Sequence, residues 1–396
     1  MNRFLRVGRT LVARLGFAVG RLRRLQPHVV LATSHAPALG GNLAWVRDEL
    51  ARRDPPIPVV ELTASPRRSR LALLLFTFRA GYHLATARVF VVDDYLFPMY
   101  VITPRPGTVR VQVWHAAGAF KKFGHSVVEK AFGADPDFVA NVPIHSNYDL
   151  ALVSSMSVAP FYAEAFDAPL SIFTSRIGIP RTDLLTNPML RAAAEARVRA
   201  RYPSIAGRRV VLYAPTFRGA SVTNARYADL MDLDAMHRVL GDGWVVLLKL
   251  HPFVRRGLEI PDGLEGFAID ASGEADINEL MLVSDVLVSD YSSVIYEFAL
   301  LGRPILFLAP DEHAYDIERG FYFDFRANAP GPIFATTEAL AEAIRAGAHD
   351  LARVRAFAAA SFDVTDGHAT ARLVDQVLLP GLAGRTVTAA DLAAGG

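Results

Sequence analysis

The 396-residue chain contains no cysteine. That excludes disulfides, thiolate metal sites and cysteine nucleophiles. It also lacks any apolar run long enough to span a bilayer. Excess charge is missing too. The formal net charge is +2, which argues against a dedicated nucleic-acid binder. No internal repeat and no low-complexity tract appear. Lysine is scarce, and acid is absent from residues 1–26, which carry Arg3, Arg6, Arg9, Arg14, Arg21, Arg23 and Arg24.

What is present is apolar: 52 % of residues are hydrophobic, enough for a sizeable core and for two domains. Between the N-terminal arginines fall Leu5, Val12, Leu15, Phe17, Val19 and Leu22. Arginines interrupt the apolar stretch and no small-residue cleavage pattern follows, which argues against a secretion signal. Two readings stand side by side: a basic amphipathic helix on an anionic membrane, or a solvated basic helix packed on its own domain. A second patch, Arg67, Arg68 and Arg70 ahead of Leu71–Phe78, favours the membrane.

Short apolar runs alternate with helical segments, the pattern of parallel sheets flanked by helices. Strands are expected at Val29–Ala32, Val59–Leu62, Val89–Val92, Val109–Trp114 and Leu150–Ser154, with helices at Leu43–Arg52 and Leu71–Ala87. The second half restarts with RRVVLYAPTFR, then WVVLLKLHP, FAID, DVLVSD and RPILFLAP. The stretch from Pro180 to Arg208 separates the halves. The fold class is therefore α/β, two Rossmann-like domains facing a cleft, divided as residues 1–182 and 183–396. The last helical stretch, Ala369–Leu379, is a candidate to cross back to the first half. Ligands of such sheets bind beyond the carboxyl ends of the strands.

Candidate residues cluster at those ends. In SDVLVSDYSSVIYEFALLGRPILFL, Ser292 or Ser293 can cap the following helix, either as an ordinary cap or as part of a phosphate site. Glu297 can accept from ribose hydroxyls or form a surface ion pair. Lys249 and His251 end the strand of LLKLHPF, two residues apart and so on one side. Thr216 and Arg218 close another strand, and Arg319 precedes an aromatic run, where stacking is the plain alternative. Together these cations can neutralise a diphosphate. In the first half, VWHAAGAFKKFG puts His115 at a strand end. Ala116, Ala117 and Gly118 leave room for a substrate, and Lys121 and Lys122 supply charge. A neutral imidazole there can take a proton from an attacking hydroxyl. Asp93–Asp94 reads as a capping or turning pair, and no metal constellation is visible.

The motifs WHAAGAFKKFG, GIPRTD, LYAPTFR, KLHP, SDYSSVIYEFALLGRPILF and RGFYFDF, in that order over roughly residues 85–335, resemble the CDP-glycerol glycerophosphotransferase family of teichoic acid synthesis. The resemblance implies a fold of the glycosyltransferase-B type and peripheral association with the cytoplasmic face of the membrane. It implies CDP-glycerol as donor substrate, with no further cofactor, and a polyprenyl-diphosphate-linked saccharide as acceptor. A hydroxyl of that acceptor attacks the phosphorus carrying glycerol, and CMP leaves. It makes His115 the base and assigns His251, Ser292, Ser293 and Arg319 to the phosphates and Glu297 to the nucleotide. The candidate catalytic residues are thus His115 and His251; the candidate substrate contacts are Gly118, Lys121, Thr216, Arg218, Lys249, Ser292, Ser293, Glu297 and Arg319. Polymerising members commonly read WHG followed by Thr, and the form WHAAG here looks like the primases. A polymerase, a CDP-ribitol user, a nucleotide-sugar glycosyltransferase of the same fold and an inactive membrane-surface scaffold are the alternatives.

Overall fold

A computed structural model describes residues 3–64, 69–128, 130, 133, 135–219, 225–251, 254, 259–273 and 276–394. Arg67, Arg68 and the Pro252 of the KLHP motif lie outside the described residues.

The aliphatic runs form two six-stranded sheets, and every pairing within them is parallel. The first contains β1 (Gln26–Thr33), β2 (Val59–Thr63), β3 (Ala87–Val92), β4 (Val109–Gln112), β5 (Leu150–Leu152) and β6 (Phe173–Thr174), in the order β2-β1-β3-β4-β5-β6. The second contains β7 (Arg209–Ala214), β8 (Trp244–Leu248), β9 (Ala268–Asp270), β10 (Val286–Ser289), β11 (Ile305–Leu308) and β12 (Ile333–Phe334), in the order β12-β11-β10-β7-β8-β9. The strands read as near-continuous Val/Ile/Leu because helices cover both faces.

Strand order fixes where a ligand can sit. In the first sheet the chain leaves β1 for β2 on one side and returns to β3 on the other. In the second it runs outward from β7 through β9 and returns beside β7 as β10. Loops leaving neighbouring strands in opposite directions open a crevice at β1/β3 and another at β7/β10. The candidate residues His115, Thr216, His251 and Ser292 all follow strands at or next to these points.

The N-terminal helix α1 (Arg3–Arg21) crosses α3 (Arg70–Thr86), while α2 (Gly41–Arg52) lies after β1. Ala13, Gly16, Phe17 and Gly20 form the buried face of α1. The crossing is close: a Cβ on Gly81 would stand 2.2 Å from the carbonyl oxygen of Ala13. The packed reading of the basic helix therefore holds for part of its surface. One face packs on its own domain. Leu11 and Leu15 remain exposed on the other, as do Leu22 just after the helix and Leu71 and Leu75 of α3. Several arginines are used internally: Arg6 pairs with Asp137 at 2.9 Å, Arg14 donates to the Val101 carbonyl, and Arg9 lies over the Phe97 ring.

The C-terminal segment is helical from Ala369 to Leu382, through a π turn at Val374–Leu378. Its Leu373, Val374, Val377 and Leu378 share a core with Val29, Leu31, Val89 and Val111 of the first sheet. Two carboxylates tie this return. Asp363 accepts from Ser155 Oγ, Ser175 Oγ and the Met156 N–H. Asp183 accepts from the Ala369 and Thr370 N–H groups and the Thr370 hydroxyl.

Candidate active site

The first half of the site is built on a strained turn. β4 ends at Gln112, two residues earlier than the apolar run, because Trp114 adopts φ +52°. Positive φ is costly for a bulky side chain and persists only where neighbours enforce it. Here Gln112 Oε1 accepts from the Trp114 N–H, and the buried Asn42 donates to the carbonyls of Val113 and Trp114. The turn throws His115 outward, and the Trp114 ring lies tilted against it, centroids 4.5 Å apart. His115 Nδ1 lies 3.2 Å from the carbonyl oxygen of Asp93. A carbonyl only accepts, so Nδ1 carries the hydrogen and Nε2 of the neutral ring is left to take a proton. The ring is 47 % exposed to the cleft.

Two carboxylates and a second imidazole stand behind it. Asp94 Oδ1 is 4.0 Å from His115 Nδ1, and Asp94 Oδ2 is 3.2 Å from His35 Nδ1. The crowded surroundings lower the His115 pKa from the ordinary histidine value, and the Asp94 charge partly restores it. Burial acts to raise Asp94, but His115 and His35 more than offset this and hold its carboxyl below the usual range. Asp93 is different: burial pushes it up to about 7. The expectation that Asp93–Asp94 merely turns the chain is half the account. Asp94 does accept from the Tyr95 N–H at 2.7 Å, and it also faces both imidazoles.

The second half supplies cations and hydroxyls. His251 follows β8, and burial together with Lys121, His115 and Arg319 lowers its pKa to about 3. Lys249 Nζ donates to the carbonyls of Ala271 and Ser272. Burial lowers its pKa, against the pull of Asp276 and Asp270. Arg319 donates to the Gly219 carbonyl and stacks over Phe217. Ser292 and Ser293 do less capping than their position suggests. Ser293 makes no side-chain capping bond, and Ser292 Oγ accepts only a long 3.5 Å contact from the Val294 N–H.

Two cavities lie between the halves, and His115, His251, Ser292 and Ser293 line both. One, of about 410 Å³, adds Gly118, Lys121, Thr216 and Arg319. The other, of about 360 Å³, adds Lys249, Glu297, Arg181 and Asn278. All the sequence candidates except Arg218 therefore meet at one cleft.

Three candidates behave differently from their expectation. Arg218 is consumed elsewhere: it forks onto Asp311 at 2.8 and 3.1 Å, reaches Asp290 at 2.9 Å and lies over Tyr315. It lines neither cavity, and its role is to hold Asp290, which in turn accepts from the Thr216 N–H and hydroxyl. Glu297 is not a surface ion pair. It is fully buried, pairs with Arg181 across the cleft and accepts from the Ala117 N–H. The small residues after His115 make room for protein. Gly118 has φ +67°, and a Cβ there would fall 2.2 Å from the Tyr296 ring, so the two halves touch through this glycine. Lys121 and Lys122 sit on a strip whose backbone pairs with residues 320–322: Lys122 N–H donates to Gly320, and Tyr322 N–H to Phe120.

Sequence reasoning missed His35, Asn42, Arg181 and Asn278. His35 follows an apolar strand as His115 does, and Arg181 stands within the quoted GIPRTD motif; those were the available signals. Among the described residues, no three His, Asp or Glu side chains are grouped to hold a metal ion.

A family model described as CDP-glycerol:poly(glycerophosphate) glycerophosphotransferase matches residues 22–379. The chain belongs to this family. The match extends well beyond the span of the sequence motifs and begins just after α1. A teichoic acid ribitol-phosphate primase of Bacillus spizizenii is 38 % identical over 352 residues, 88 % of this chain and 90 % of the relative. A teichoic acid poly(ribitol-phosphate) polymerase of the same organism is 34 % identical over 381 residues, 96 % of this chain but 61 % of the relative. The wall teichoic acid polymerase TagF, as its H444N variant, superposes with a TM-score of 0.78 at 22 % identity, covering 95 % of this chain and 94 % of that one. That likeness establishes the shared two-sheet fold. The protein is thus an enzyme of the teichoic acid phosphotransferase family.

Proposed function

We propose that the enzyme transfers a polyol phosphate from a CDP-polyol to a hydroxyl of a polyprenyl-diphosphate-linked saccharide, releasing CMP. The observation that carries this reading is the position of His115. Its Nδ1–H is anchored by Asp93, and it lines the same two cavities as His251, Ser292 and Ser293.

In the proposed step the acceptor oxygen bonds to the phosphorus bearing the polyol. The bond from that phosphorus to the bridging oxygen breaks, and its electron pair leaves with CMP. The hydroxyl proton passes to His115 Nε2, and Asp94 stabilises the imidazolium. Phosphoryl transfer asks the protein chiefly for positioning and charge neutralisation. Lys121, Lys249 and Arg319 supply positive charge around the donor diphosphate. Neutral His251 and the hydroxyls of Ser292, Ser293 and Thr216 supply hydrogen bonds. Glu297, held by Arg181, faces the nucleotide.

Ribitol is the favoured polyol, because the relative that this chain matches along 90 % of its length is a ribitol-phosphate primase. Glycerol is the second reading, favoured by the family description. The WHAAG form of the motif favours addition of a first unit, with polymerisation as the alternative. We place the enzyme on the cytoplasmic face of the membrane, with support from the exposed Leu11 of α1, which lines a groove with Arg3, Arg21 and Arg105. Among the described residues no helix is long and apolar enough to cross a membrane. The test is incubation with a synthetic lipid-linked disaccharide and either CDP-ribitol or CDP-glycerol, with CMP and product mass measured. The reading expects CMP release with CDP-ribitol and a product heavier by one ribitol phosphate. CMP release with CDP-glycerol alone selects the second reading, and release with neither refutes both.

A further inference from the structure

The 360 Å³ cavity contains three buried polar atoms without a hydrogen-bond partner among the described residues: Asn278 Oδ1, Glu297 Oε2 and Arg181 Nε. Buried polar atoms are nearly always paired, since an unmet one costs about 1–3 kcal/mol. Three in one cavity point to a ligand. Asn278 is the one that the transfer chemistry leaves without a task. It is 3 % exposed, on the helix Ile277–Val283. Its backbone N–H donates to Asp276, but its carboxamide makes no hydrogen bond among the described residues.

The surroundings narrow the class of ligand. The cavity lies beyond β7, β8 and β10, and its volume falls in the range of small-molecule sites, roughly 300–1,000 Å³. Lys249 is tethered to the Ala271 and Ser272 carbonyls, which fixes the wall between β8 and Asn278. His115, His251 and both serines lie toward the other cavity, so the phosphate-facing groups occupy one end and Asn278 lines the same space with Asp276 and Ile277. A carboxamide presents an acceptor and a donor side by side. It matches a base edge that carries an amino group next to a ring nitrogen, the pairing by which Asn and Gln read nucleobases.

We propose that Asn278 reads the nucleobase of the donor. Its Oδ1 accepts from the exocyclic amino group of cytosine, and its Nδ2 donates to the ring N3. The choice of cytosine rests on the reading of the donor as a CDP-polyol.

The test compares the full-length protein with Asn278→Ala, using competition binding of two probes, CMP and inorganic diphosphate. A bidentate base contact is worth about 1–3 kcal/mol, so CMP affinity should fall by about tenfold or more. Affinity for inorganic diphosphate, which has no base, should stay within about twofold. Equal losses for both probes would make Asn278 a structural residue and overturn the proposal, as would no loss for either. Should the alanine variant fail to fold, the isosteric Asn278→Asp keeps the acceptor and loses the donor. It too should weaken CMP and spare diphosphate, and unchanged CMP binding there overturns the proposal. Wild-type protein that does not bind CMP overturns the donor reading as well, whereas wild-type binding with an indifferent variant overturns the base contact alone.

Discussion

Arg181 and Glu297 form a buried ion pair that joins the segment after β6 to the helix after β10, with the Glu297 side chain 1 % exposed. The Arg181 side chain is 15 % exposed, so the burial falls mainly on Glu297. Breaking such a pair from one side costs about 3–5 kcal/mol, because a charge is left buried and alone, whereas replacing both partners by apolar groups is often close to neutral. Glu297→Ala is therefore expected to lower the melting temperature sharply, and the double change Arg181→Met with Glu297→Leu to recover most of it. Thermal unfolding followed by circular dichroism checks this. A single variant as stable as the parent would show that the pair contributes nothing.

Asp93 gives a stability that depends on pH. Its folded pKa, about 7, lies above the ordinary carboxyl value, so the folded state holds its proton more tightly than the unfolded chain. The associated stability is full below the unfolded pKa and is lost as pH rises through about 7. Asp93→Asn mimics the protonated form and keeps the backbone carbonyl that anchors His115. Its stability gain over the parent should therefore grow between pH 5 and pH 8, to at most about 4 kcal/mol. Denaturant midpoints at several pH values measure it, and a gain independent of pH would contradict the assignment.

Asp94 acts on the reaction rather than on the fold. Its charge raises the His115 pKa against the lowering effect of burial. Removing the charge should lower that pKa further, so in Asp94→Asn the acid limb of kcat/KM moves to lower pH. The plateau should drop by roughly tenfold or more, because the imidazolium loses its counter-charge. A pH–rate profile separates the two effects. An unmoved acid limb would detach Asp94 from His115.

The exposed apolar strip of α1 predicts a surface behaviour. Leu11→Asp together with Leu15→Asp should weaken co-sedimentation with anionic liposomes while leaving CMP binding intact, since neither side chain lines the cleft cavities. Undiminished liposome binding would remove the membrane reading of this helix.

Much of this architecture was legible in the residues. Aliphatic runs ending in polar turns marked ten of the twelve strands. The two that escaped, Phe173–Thr174 and Ile333–Phe334, are edge strands of two residues, too short for any periodic signal. His115, His251 and the serine pair were visible because strand ends are where such folds place their chemistry. Three-dimensional partners were not visible. That Arg218 spends its guanidinium on Asp290 and Asp311, that Glu297 meets Arg181, and that Gly118 yields to Tyr296 all depend on contacts spanning 72 to 178 positions of chain. His35 was passed over because its link to His115 runs through Asp94 on a different strand end.

The most direct test is CMP release by the His115→Asn variant, with CDP-ribitol and a lipid-linked disaccharide, beside a measurement of donor binding. The account predicts a rate lower by about 10²–10⁴-fold with donor affinity largely retained, as expected for loss of a general base. A variant that releases CMP at the parent rate would contradict it.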